Sequence, residues 1–112
     1  MTEAIMTGDE PEHYALLELR TYRLAAGKRE AFEQRLREVT LPIYARLGLR
    51  CDGFWASDDE PLLTYYTLYW TSQAEREDGW RRLLADPEFV ASREGYDSPV
   101  IESTVQLLRP IV

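Results

Sequence analysis

The sequence predicts a single α+β domain, an antiparallel sheet with helices on one face, and three observations predict it. Residues 62–70 read Leu-Leu-Thr-Tyr-Tyr-Thr-Leu-Tyr-Trp, without a charge, as a buried central strand does. Residues 28–47 and 72–86 space their apolar positions by three and four, as helices do. The polar run Ser57-Asp58-Asp59-Glu60-Pro61 joins two strand-like stretches as a hairpin connection, which makes that pair antiparallel.

With 112 residues the chain holds one domain with one modest core. Residues 1–12 contain Gly8, Pro11 and four acids without a base, and are expected to form a flexible acidic tail ahead of a folded domain over 13–112. The start lacks the order of a signal peptide, and the lone Cys51 has no intramolecular partner for a disulfide. Both features favour a reducing, cytoplasmic compartment. Net charge is −7, and twelve of the thirteen bases are arginines scattered among acids. Nucleic acid and anionic membrane require a basic patch, so neither is an expected partner. No apolar run is long enough to span a bilayer.

In chain order, residues 13–24 form a first strand. Leu17, Leu19 and Thr21 lie on the face suited to a core, and Leu16, Glu18, Arg20 and Tyr22 on an amphipathic face. After the Gly27 turn, Phe32, Leu36, Val39, Ile43 and Leu47 mark one buried helical stripe. Pro42 interrupts it, so a kink or break is expected there, with Thr40 capping a fresh turn and Gly48 closing the helix. Residues 49–56 form a second strand and 62–70 the third. Ser72 with Glu75 is a capping box for the second helix, and Asp86-Pro87 opens a short helix closed near Gly95. Residues 100–109 are the last strand. The order is β-α-β-β-α-β, the ferredoxin-like arrangement, with the first and third strands central.

Helices on one face leave the other uncovered. The third strand is apolar on both faces, and a large exposed apolar patch marks an interface or ligand site. Burying one such side chain contributes roughly 1.5–3 kcal/mol, so two sheets are expected to pair face to face in a twofold homodimer.

The residues Glu18-Leu19-Arg20-Thr21-Tyr22 with Leu24 and Gly27-Lys28, then Gly53-Phe54-Trp55, Pro61-Leu62, Ser72 with Arg76-Glu77, Asp86-Pro87-Glu88-Phe89 and Leu108-Arg109-Pro110 resemble the NIPSNAP family of the dimeric α+β barrel superfamily. They span 18–110 in the family's order and spacing. The resemblance implies a dimeric barrel. Through the wider superfamily it also implies cofactor-independent monooxygenases, cyclases or isomerases, and haem-handling enzymes, as models of activity. The chain departs from the family pattern at Glu60, usually glycine, at Leu63, usually asparagine, and at Tyr66, usually histidine. The last departure argues against histidine or haem chemistry at that position.

Glu18, Arg20 and Tyr22 share one face of a central strand and are the candidate catalytic residues, as base, anion clamp and proton donor. The plainer reading of the same residues is a structural ion pair and a tyrosine hydrogen bond at the dimer seam. Trp55, Tyr66 and Trp70 are the candidate aromatic wall for a ligand held between the two sheets, with Glu102 and Thr104 extending its polar lining. Core or interface packing is the commoner use of such aromatics. His13 is the only histidine, and no metal-ligand spacing is present, so neither a metal nor a cofactor is expected. Cys51 reads as a small buried thiol. Two functions are open: a homodimer that binds a small apolar or aromatic molecule and is a candidate for transforming it without a cofactor; or a non-catalytic binding or scaffold module whose open face only forms the dimer.

Overall fold

The structure, a computed structural model, describes residues 14–112. The acidic tail expected over 1–12 and the strand start at His13 lie outside the described residues. The order is β1 (Leu16–Leu24), α1 (Arg29–Arg35), a π-helical segment (Leu36–Thr40), α2 (Leu41–Leu47), β2 (Arg50–Ala56), β3 (Leu63–Trp70), α3 (Gln73–Ala85), α4 (Pro87–Arg93) and β4 (Val100–Leu108). The four strands form one sheet in the order β2-β3-β1-β4, antiparallel throughout. β1 and β3 are therefore central, as the ferredoxin-like order requires.

β3 decides which face meets the helices. Thr64, Tyr66, Leu68 and Trp70 are buried, while the alternating Leu63, Tyr65, Thr67 and Tyr69 stay half-buried. The buried phase packs against Ile43 and Tyr44 of α2 and Leu83 of α3. Residues directly opposite in an antiparallel pair share a face, and Glu18 is opposite Leu68, Arg20 opposite Tyr66 and Tyr22 opposite Thr64. The polar face of β1 thus points at the helices, and Leu17, Leu19 and Thr21 lie on the open face. This reverses the expected orientation. A two-residue period shows which residues travel together, but not which set finds partners across the layer.

The connections follow local chemistry. Pro42 does not break the helix: Thr40 is helical (φ −66°, ψ −54°) and makes no side-chain cap bond, contrary to expectation. The π-helical turn just before Pro42 inserts extra chain where proline lacks an N–H and crowds the preceding carbonyl, so the helix continues. Gly48, at φ 75°, ends α2. Ser72 Oγ accepts from the Glu75 N–H at 3.0 Å. The Glu75 carboxylate does not return to Ser72; it accepts from Thr71 N at 2.6 Å and from Arg50 Nη2 at 2.8 Å. The Asp86 carboxylate accepts from the Phe89 N–H at 3.0 Å and starts α4. In β2, Gly53 at φ 107° marks a bulge that places Cys51 and Phe54 opposite Leu68 and Tyr66, on the helix face. Among the described residues no helix is long and apolar enough to cross a membrane.

Candidate functional site

β1 carries a carboxylate into the space between sheet and helices, and that placement needs compensation. Glu18 is fully buried. Its Oε1 accepts from Trp70 Nε1 at 3.0 Å, Arg76 Nε at 2.8 Å and Trp80 Nε1 at 3.0 Å. Its Oε2 accepts from Arg20 Nη1 at 2.6 Å and Arg76 Nη2 at 3.3 Å. Burial alone would raise the Glu18 pKa, but the bonds from Arg76, Trp80, Arg20 and Trp70 outweigh it and hold the carboxyl below the ordinary glutamate range. With both oxygens engaged, Glu18 is a fixed anion that orients Arg20 and Arg76 and has no lone pair directed at the cavity.

Beyond Glu18 the same face of β1 opens onto a cavity of about 380 Å³ between the sheet and the helices. Arg20 lies with its guanidinium 4.6 Å from the centre of the Trp80 ring, and its Nε is buried without a hydrogen-bond partner among the described residues. A buried N–H left so costs about 1–3 kcal/mol. Tyr22 Oη and Tyr66 Oη share a hydrogen bond of 2.8 Å, and Phe54 stacks on Tyr66 with ring centres 4.2 Å apart. Burial pushes the Tyr44 and Tyr66 phenols well above their ordinary pKa, so both stay protonated at neutral pH and act as hydrogen-bond donors. Leu36, Thr40 and Tyr44, four apart along the π segment and α2, line the helical wall, with Trp80 of α3 beside them. Among the described residues the lining includes Arg35 and Arg93 as well as Arg20, and no carboxylate.

Glu18, Arg20 and Tyr22 are brought together as the strand period implies, but in the sheet–helix space, not between two sheets. The expected aromatic wall does not form as one surface. Tyr66 lines the cavity, Trp70 is buried beneath it on Glu18, and Trp55 is 64 % exposed opposite Tyr65 on the open face. Glu102 and Thr104 are opposite Arg23 and Thr21, also on the open face, and Glu102 accepts from Arg23 Nε at 3.2 Å. They take no part in lining this cavity, because β4 follows the phase of β1, and they lie on the face where a second sheet is expected. Ser103, one residue away, lines the cavity instead. Burial pushes the Cys51 thiol up, away from a nucleophilic thiolate. Among the described residues no group of three or more His, Cys, Asp or Glu is placed to hold a metal ion.

Sequence reasoning missed Arg76, Trp80, Tyr44, Arg35 and Arg93 as site residues. A signal existed for Arg76 and Trp80, which lie four apart on α3 and so share a stripe. Arg35 and Arg93 had none, since they resemble the chain's other surface arginines.

A model of the NIPSNAP family matches residues 17–111, nearly the whole described chain. The chain belongs to the NIPSNAP family. Solved NIPSNAP structures share the architecture. An uncharacterized NIPSNAP domain protein from Burkholderia xenovorans is 27 % identical with a TM-score of 0.76, over 85 % of this chain and 93 % of that one. A NIPSNAP family protein from Agrobacterium tumefaciens is 25 % identical with a TM-score of 0.78, over 88 % of each chain. An antibiotic biosynthesis monooxygenase-like protein from Bordetella bronchiseptica, 14 % identical with a TM-score of 0.67 over 89 % of this chain and all of its own, shares the fold alone. No curated protein matches this NIPSNAP chain.

Proposed function

We propose that this NIPSNAP protein binds a small aromatic or largely apolar molecule in the cavity between its sheet and helices, and that it works as a homodimer joined through the open sheet faces. The carrying observation is the cavity itself. Its volume of about 380 Å³ suits a small ligand. Its aromatic walls and its donors, Arg20, Tyr22 and Tyr66, supply the few oriented polar groups that fix a ligand's pose. Leu17, Leu19, Leu63, Tyr65 and Tyr69 on the open face belong to neither hydrophobic core cluster, which supports a second copy as their cover.

A cofactor-independent isomerase, cyclase or oxygenase is the second reading, favoured by the phenol pair that Tyr22, on the strand that carries Arg20, makes with Tyr66 of β3. There a phenol would donate a proton while Arg20 steadied developing negative charge. Glu18 is a positioning residue in this reading and not the base, because its oxygens are already occupied. Among the described residues the lining holds neither carboxylate nor imidazole, so binding is the better supported function. A panel of bicyclic aromatics titrated calorimetrically into the full chain tests it. Binding should saturate at one site per chain and weaken at least tenfold in Ser103→Trp, which fills the cavity from an exposed position of β4. Binding that Ser103→Trp leaves untouched places the ligand elsewhere and removes the proposal.

A further inference from the structure

We infer that the ligand carries a negative charge and belongs to the class of small planar aromatic carboxylates. The inference rests on the cavity-binding reading above and adds the ligand's charge to it. The chain has 20 acids against 13 bases, so a surface patch drawn at random should be acidic. Among the described residues the cavity lining runs the other way, with Arg20, Arg35 and Arg93 and no Asp or Glu.

Of those three cations only Arg20 meets a carboxylate. Among the described residues Glu18 is the only carboxylate bonded to Arg20, and it is shared with Arg76, so the trio retains one positive charge. Arg20 Nε remains a buried donor with no acceptor among the described residues. Arg35 gives Nη2 to the Ser92 carbonyl, which carries no formal charge, and its guanidinium lies 3.5 Å from the centre of the Tyr96 ring. Arg93 lies 5.7 Å from the Phe89 ring centre and 5.9 Å from that of Tyr96. Among the described residues neither Arg35 nor Arg93 forms an ion pair.

Guanidinium groups present their donors as a planar fork that matches a carboxylate, and in a partly enclosed space that pairing is stronger than in water. The buried phenols, held protonated, add donors and no competing negative charge. The rings of Tyr22, Phe54, Tyr66 and Trp80 supply faces for the ligand's flat body.

The test compares 2-naphthoate with 2-naphthylmethanol, which has the same ring system without the charge, by calorimetric titration of the full chain at low salt. The naphthoate should bind at least tenfold more tightly and lose affinity as salt rises. In Arg20→Gln and in Arg93→Gln, checked for folding by circular dichroism, the preference should shrink toward one. If Arg20→Gln does not fold, Arg93→Gln alone carries the comparison, since its position is exposed on α4. Equal or tighter binding of the alcohol overturns the charge assignment and leaves the cavity reading intact. A preference that survives in folded variants overturns it too, by placing the anion elsewhere. Binding of neither probe overturns both.

Discussion

At Glu18, side chains from β1, β3 and α3 converge on one carboxylate. Removing one partner of a buried ion pair is costly because the other charge stays behind unpaired. Arg20 and Arg76 keep 18 % and 22 % of their side chains exposed, which softens the loss. Glu18→Gln is therefore expected to cost about 3 kcal/mol, the low end for a broken buried pair, read as a lower denaturant midpoint. The pH dependence has a definite sign. The folded-state pKa of Glu18 is depressed, so its stabilisation is complete above the unfolded glutamate pKa of about 4.3 and disappears as pH falls through the lower folded value. Acid titration of stability should show a smaller loss below that pH in Glu18→Gln than in the wild type; parallel curves would show that the carboxylate is not what the acid limb reports. Tyr22→Phe removes one end of the phenol pair and leaves the buried Tyr66 hydroxyl one partner fewer, a cost of about 1 kcal/mol. That substitution tests function more than stability.

On α3, sequence propensity and packing disagree at Gly79. Alanine is normally about 1 kcal/mol better than glycine inside a helix. Here an added Cβ would sit 2.5 Å from Trp70 Cζ3 and 2.7 Å from Cη2. The indole cannot swing aside freely, because its N–H is tied to Glu18. Overpacking of this kind costs about 1–3 kcal/mol, so Gly79→Ala should lower the melting temperature despite its better propensity; an unchanged or higher value would mean the contact relaxes without strain. The caps were readable in the residues. Ser72 and Asp86 bond the amides expected of them, and Ser72→Ala should cost about 1 kcal/mol. The π turn before Pro42 was not readable. A proline signals only that a regular helix is strained, and whether the chain breaks or absorbs the strain depends on the packing of Leu36 and Ile43 on either side.

For the whole molecule, the decisive quantity is the open sheet face. Leu19 and Tyr65 lie near its middle on the two central strands, where a charge would be buried in a paired dimer but wetted in a monomer. Leu19→Asp should shift sedimentation at micromolar concentration from dimer to monomer with the fold retained. A wild type that sediments as a monomer under the same conditions rejects the homodimer. The element order, the central position of β1 and β3, the grouping of Glu18 with Arg20 and Tyr22, and the family were all legible in the residues, because periodicity, caps and turns are local properties of a chain. The direction in which that group points was not. Both phases of β1 and β3 carry large side chains, and only α3, by bringing Arg76 and Trp80 to meet Glu18, makes the polar face the one that can be buried. Tertiary structure therefore decided that the cavity lies between sheet and helices and that arginines line it. These are encounters between residues distant in sequence, and no local pattern records them.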